Sequence, residues 1–264
     1  MESIKIAALQ LDLVWHNPAA NRERIEQLLK TCKEQPDLIL LPEMFTSGFT
    51  MKPQQVAEDV EGTTMEWMMK IAHKYHALVG GSLVVREGKS FFNRFLFVDE
   101  EEIQLEYNKR HLFRLAGEND AYEKGEEWVW YEYKGWKIVP LICYDLRFPV
   151  WSRNRAQLNG ELRHDILTYV ANWPGKRIGH WETLLKARAI ENQSYVIGVN
   201  RIGTDANGLE YPGHSMIVDP HGEVLAFNAG EETILTATLD RKVLTDWRKV
   251  FPVWQDADEF DLYM

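Results

Sequence analysis

The stretch Leu38-Ile39-Leu40-Leu41-Pro42-Glu43 reads as a strand buried on both faces, with a carboxylate directly beyond its end. An unbroken apolar run, rather than an alternation, is what a parallel sheet covered on both sides requires. On its N-terminal side, Pro36 stops a helix that runs to about Lys33, offers Asn17 and Asn21 as N-caps and lines one face with Ile25, Leu28 and Leu29. Ile4 to Leu11 reads as the strand before that helix. On its C-terminal side, a helical pattern near Thr64 to Tyr75 leads into a strand over Ala77 to Val85. Strand-like segments follow at Ser90 to Val98 and Glu102 to Tyr107, separated by the acidic turn Asp99-Glu100-Glu101.

Farther along, Trp128 to Tyr133 and Trp136 to Ile142 predict a hairpin around Lys134-Gly135. Ile166 to Ala171 is a buried strand. Pro174 suits the first turn of a long helix that carries Ile178, Trp181, Leu184, Leu185 and Ile190 at helical spacing. Tyr195 to Val199, Ser215 to Val218, Glu223 to Phe227 and Thr233 to Leu239 complete the strands, with Pro220-His221-Gly222 as a turn. Strands and helices mixed without a linker predict one α/β domain over residues 1–264.

The 264 residues include 30 Lys+Arg and 40 Asp+Glu, a formal net charge of −10. That balance argues against a polyanion binder, because sequence-independent attraction to nucleic-acid backbones comes from excess cations. With 45% hydrophobic and 27% charged residues the chain has the composition of an ordinary soluble globular protein. No apolar run reaches the roughly 18 to 20 residues of a membrane span. Two cysteines, Cys32 and Cys143, make neither a disulfide framework nor a cysteine zinc site and point to a reducing compartment. The first residues lack a basic segment and cleavage site and read as a strand, so the expected location is cytoplasmic.

Ligands of open α/β sheets bind beyond the carboxyl ends of strands. Three ends carry chemistry: Glu43 after Leu38–Pro42, Lys109 after Ile103–Asn108, and Cys143 after Ile138-Val139-Pro140-Leu141-Ile142. Each alone has a plain structural reading, respectively a turn-capping carboxylate, a solvated Lys-Arg turn and a small buried hydrophobe. Together they supply a base, a cation and a nucleophile. Pro149 is placed to open a helix, so the Cys143 thiol is expected near helix N-terminal amides which, with a nearby Lys, would lower its pKa. Cys32 ends an amphipathic helix with no polar constellation around it.

Leu41-Pro42-Glu43-Met44-Phe45, Lys109-Arg110-His111-Leu112-Phe113 and Cys143-Tyr144-Asp145-Leu146-Arg147-Phe148-Pro149 resemble the three signature segments of the nitrilase superfamily of carbon–nitrogen hydrolases. Ala171-Asn172-Trp173-Pro174, Ala187-Arg188-Ala189-Ile190-Glu191-Asn192 and Gly213-His214-Ser215 resemble its further blocks in the same order. The resemblance covers nearly the whole chain, and within the superfamily it is greatest to the bacterial omega-amidases. It implies a four-layer α-β-β-α sandwich, a Glu43–Lys109–Cys143 triad, and Glu118, which precedes Gly125, as a second glutamate. It also implies cleavage of the side-chain amide of small dicarboxylate monoamides such as 2-oxoglutaramate through a cysteine thioester, without metal or organic cofactor. The expected partners are the small amide and a second copy of the chain, as a homodimer or higher homo-oligomer. The tail at about 250–264 is expected to pack on that partner, or alternatively over its own core.

For the substrate carboxylate, Arg147 is the nearest candidate, with a structural ion pair to Asp145 or Glu191 as the alternative. Tyr144 is expected to offer its backbone N–H to the oxyanion, and Asn172 to sit among the binding residues. Phe45, Phe113 and Trp173 are expected to narrow the pocket. A related amidase acting on deaminated glutathione or an N-carbamoyl compound is one competing reading. A Cys-His thiol hydrolase using His111, His164 or His180 is a second, and a non-catalytic binding protein a third.

Overall fold

In the computed structural model, which describes residues 2–157 and 160–262, two mixed sheets pack face to face with helices outside. The chain opens with β1 (Ser3–Gln10), α1 (Pro18–Leu29), β2 (Leu38–Leu40), α2 (Thr63–Tyr75), β3 (Leu78–Glu87), β4 (Ser90–Val98), β5 (Ile103–Asn108) and the short α3 (Glu118–Ala121). It continues through β6 (Tyr131–Tyr133), β7 (Trp136–Ile142), α4 (Pro149–Ser152), β8 (Ile166–Ala171), α5 (Ile178–Asn192) and β9 (Tyr195–Asn200). The last elements are β10 (Ile202–Thr204), β11 (Glu210–Val218), β12 (Val224–Ala229), β13 (Thr233–Asp240) and α6 (Arg241–Val250). One sheet has the order β13-β1-β2-β3-β4-β5. The other has the order β10-β11-β9-β8-β7-β6, with β12 beside β11.

Each sheet has a parallel centre, β1-β2-β3 in one and β7-β8-β9 in the other, flanked by antiparallel strands. The parallel strands all end on one side, which gathers Glu43, Cys143 and Asn172 at neighbouring tips. Period-two alternation divides the first sheet between two partners. Ile4, Ile6, Ala8, Leu38 and Leu40 join the core shared with the second sheet. Ala7, Leu9, Ile39 and Leu41 pack instead with Ile25 and Leu29 of α1 and Met68, Ile71 and Ala72 of α2. Burial on both faces explains the unbroken apolar run. Each such side chain contributes roughly 1.5–3 kcal/mol.

Local differences from the sequence expectations have simple causes. Asn17 caps α1 by accepting from the Ala20 N–H, whereas Asn21 is buried and ties Val14 and Thr46 together. Pro174 lies ahead of a three-residue 3-10 turn, and α5 begins at Ile178. Its buried face carries Trp181, Leu185, Ala189 and Asn192, while Ile190 is 55% exposed. Nine residues from Trp181 at about 100° each is half a revolution, so Ile190 falls on the opposite face. The strand predicted from Trp128 begins only at Tyr131, and β10 and α6 were not anticipated.

Helix α6 is held by charge more than by apolar contact. Leu244 is its buried side chain, while Arg241 and Arg248 both bond Asp165. Beyond it, the Phe251 carbonyl accepts from Gln193 and the Phe260 carbonyl from Arg155, whose guanidinium also lies 3.8 Å from the Phe260 ring centre. The described part of the tail therefore has partners within its own chain. Tyr263 and Met264, which belong to the predicted tail, lie outside the described residues.

Candidate active site

Cys143 directly follows β7 and begins a 3-10 turn, Cys143–Arg147, with a backbone φ of 46°. A left-handed conformation at a side-chain-bearing residue costs of order 1–3 kcal/mol and persists where surrounding bonds impose it. Asp145 supplies them. Its Oδ2 accepts from the Ile142 N–H at 2.9 Å and the Tyr107 hydroxyl at 2.8 Å, and its Oδ1 accepts from the His111 N–H at 3.0 Å. One fully buried carboxylate thus ties the Cys143 turn to the segment just after Lys109. Arg188 of α5 closes the turn from the other side by donating to the Leu146 carbonyl at 2.6 Å.

The floor of the site is a buried polar cluster. Lys109 Nζ donates to Glu43 Oε1 at 2.8 Å and to both oxygens of Glu118 at 2.9 Å. Glu43 also accepts from the Asn93 side chain and from the Asn172 backbone N–H, each at 2.8 Å. Lys109, Glu43 and Glu118 are all at most 1% exposed. Burial alone would lower the Lys109 pKa, but Glu118 and then Glu43 outweigh it and hold the ammonium charged. Burial pushes Glu118 up, with Lys109 pulling against it and Glu43 adding to it. Gly125 closes this region: its N–H donates to the Lys109 carbonyl, and a Cβ there would stand 2.1 Å from the Asn108 oxygen.

The thiol behaves differently from the expectation. Burial, and after it the Glu43 carboxylate, push Cys143 well above the ordinary thiol range despite the opposing charge of Lys109. Pro149 does open a helix, but Cys143 heads its own separate turn. Cys143 is therefore held as a protonated thiol beside a carboxylate, an arrangement suited to proton transfer rather than to a standing thiolate.

Above the floor lies a cavity of about 520 Å³ lined by Glu43, Lys109 and Cys143. Tyr144, Arg147, Asn172, Trp173 and Phe113 also line it. Phe45 does not. The backbone turns at Met44, φ 44°, and sends the Phe45 ring into the helix-facing core, 5.9 Å from the Trp67 ring. Phe49 lines the cavity instead, with Lys109 Nζ 5.1 Å from its ring centre. Arg147 pairs with neither acid proposed for it, because Asp145 is taken by His111 and Tyr107, and Glu191 by Arg188. Its guanidinium lies over Trp173 at 4.8 Å and contacts His180.

None of His111, His164 and His180 lines the cavity with Cys143. His111 stacks on Phe148 and bonds Asp145, and His164 is buried beside Ser152 and Ser194 with its pKa lowered to about 3 by burial and then by Arg248. These engagements remove the observation on which a pairing of Cys143 with any of these three histidines would rest. Among the described residues no group of three or more His, Cys, Asp or Glu is arranged to hold a metal ion. Asn93, the donor to Glu43, was missed by sequence reading. A polar side chain in the apolar strand Phe91-Phe92-Asn93-Arg94-Phe95 was the available signal.

The model of the family described as carbon–nitrogen hydrolase matches residues 5–249. The chain belongs to that family. Omega-amidase YafV of Escherichia coli K12 is 45% identical over 100% of both chains. The 2-oxoglutaramate amidase of Bacillus subtilis is 36% identical over 98% of each. The structure of a carbon–nitrogen hydrolase superfamily protein from Xanthomonas campestris, which carries an arsenic adduct in its active site, superposes with a TM-score of 0.96 at 41% identity over 100% of both chains. As a family member the chain is a hydrolase of amide carbon–nitrogen bonds on an α/β sandwich. No described helix is long and apolar enough to cross a membrane.

Proposed function

We propose that this carbon–nitrogen hydrolase is an omega-amidase, which converts a small dicarboxylate monoamide of the 2-oxoglutaramate type to the dicarboxylic acid and ammonia. The observation that carries the chemistry is the approach of Glu43, Lys109 and Cys143 to one cavity, with Lys109 held between two carboxylates. The relatives named for omega-amidase and 2-oxoglutaramate amidase activity support the substrate class.

Glu43 accepts the Cys143 proton as Sγ bonds to the amide carbon, and the carbonyl electron pair moves onto oxygen. Lys109 and the Tyr144 backbone N–H stabilise that oxyanion. Collapse breaks the carbon–nitrogen bond, and Glu43 returns its proton to the departing ammonia. Water then loses a proton to Glu43, attacks the thioester and releases the acid, with the proton passing back to sulfur. Glu118 is a positioning residue that keeps Nζ fixed through both halves. Every proton and electron pair is accounted for by substrate, water and protein. The chain acts in the cytoplasm in this reading, consistent with two free cysteines, and pairs with a second copy in part through its tail.

An ammonia-release panel tests the assignment with 2-oxoglutaramate, succinamate, deaminated glutathione, an N-carbamoyl amino acid and a simple nitrile. The expected result is the highest kcat/KM on one of the first two. Preference for the nitrile or the N-carbamoyl compound overturns the omega-amidase reading. Sedimentation as a monomer at micromolar concentration contradicts the proposed pairing.

A further inference from the structure

Several buried or half-buried arginines of this chain meet a carboxylate: Arg94 pairs with Glu87 and Glu106, Arg188 with Glu191, Arg201 with Asp12, and Arg248 with Asp165. Two arginines of the active-site cavity do not. Arg147 is engaged by the Trp173 face and by His180, and Arg177 by the Phe113 ring at 5.3 Å. Among the described residues neither has an ion pair. In a protein of net charge −10, two half-buried guanidiniums that line one cavity and make no ion pair are positioned for an anion brought from outside.

Trp173 organises both. Its ring carries Arg147, and its indole N–H donates to the Arg177 carbonyl at 2.8 Å. Phe113, the shelf under Arg177, is fixed at its own backbone N–H by Glu118 Oε2 at 2.6 Å, so this shelf is built onto the catalytic floor. Stacking on an aromatic face leaves the edge of a guanidinium free for the two-point hydrogen bonding that a carboxylate accepts. Arg147 also closes the 3-10 turn that Cys143 opens. At about 2.0 Å rise per residue the two α-carbons stand roughly 8 Å apart along it, a span suited to a short linear acid.

We infer that Arg177 is a specificity-determining residue, which with Arg147 forms a two-arginine clamp for the carboxylate at the end of the substrate remote from the scissile amide. This deepens the omega-amidase reading and rests on it. Sequence inspection passes over Arg177, because it falls in the first turn of the long helix that Pro174 was expected to open.

The test compares kcat/KM for 2-oxoglutaramate with kcat/KM for pentanamide, a five-carbon amide without the carboxylate, in wild type, Arg177→Gln and Arg177→Lys. The clamp predicts that wild type prefers the acid strongly. Arg177→Gln should lower that preference at least tenfold, mainly through KM, and Arg177→Lys should recover part of it. The affinity of 2-oxoglutarate as a competitive product inhibitor should fall in parallel. If wild type prefers the acid and Arg177→Gln keeps that preference, or loses both activities equally, the clamp is wrong while the omega-amidase reading stands. If wild type shows no preference for the acid, the omega-amidase reading fails and the clamp falls with it.

Discussion

The floor and the wall of the active-site cavity use charge in opposite ways. On the floor every charge is answered: Lys109 by Glu43 and Glu118, and Glu43 in turn by Asn93 and Asn172. On the wall Arg147 and Arg177 rest on aromatic rings, and among the described residues neither makes an ion pair. A charge-paired, desolvated cluster holds its geometry through a reaction cycle, and its dipoles need little reorganisation when charge develops. An unsaturated wall keeps its binding capacity for the ligand. The difference separates rate from recognition, and it makes the two regions distinguishable by mutation.

The largest effects belong to the floor. Cys143→Ala removes the bond-forming atom, and ammonia release should drop by about 10⁴-fold or more. Lys109→Ala should lower kcat by at least about 10²-fold through the oxyanion and should also destabilise the fold by roughly 3–5 kcal/mol, since it leaves two buried carboxylates facing each other. Urea unfolding beside steady-state kinetics checks both. Near-normal turnover in Lys109→Ala would break the floor as described.

Next in size comes the wall. Arg147→Gln should raise KM for the carboxylate substrate about 10- to 100-fold, with a stability change within about 0.5 kcal/mol, because no ion pair is lost. A large loss of stability would mean that the wall is structural after all. Smaller still is Asn93→Ala. Deleting one donor to Glu43 should cost about 1–3 kcal/mol in stability and leave KM close to wild type.

The thiol sharpens the comparison through pH. Because its pKa is raised, chiefly by burial and then by Glu43, free Cys143 loses its proton only above the ordinary thiol range. Alkylation by iodoacetamide should therefore keep rising as pH increases past 9, with no plateau near neutrality. A plateau below pH 8 would mean a resting thiolate and would contradict proton transfer to Glu43 during attack. For Lys109 the sign runs the same way: its raised pKa makes its stabilisation complete at neutral pH and lost only in strong alkali.

Glu43, Lys109 and Cys143 were legible because each stands directly after a strand that its apolar pattern already marks, and a strand end is where a parallel sheet presents its ligands. The layers followed from the same runs. Phe45 was misplaced because a left-handed residue at Met44 redirects the chain, and nothing in Glu43-Met44-Phe45 announces that turn. Asn93 and Asp145 act through residues 50 and 34 positions distant, Glu43 and His111, which no local pattern relates. Helix α6 escaped because one buried leucine and two arginines bonded to Asp165 make no apolar stripe.

The proposed reaction centres on an acyl group carried by Cys143. The direct measurement is mass spectrometry of protein quenched in acid during steady-state turnover of 2-oxoglutaramate, followed by digestion. The peptide containing Cys143 should carry the mass of the substrate less ammonia, and the increment should be absent from Cys143→Ala and discharged by hydroxylamine. Turnover that proceeds with no adduct on Cys143, or with the adduct on Cys32, would contradict it.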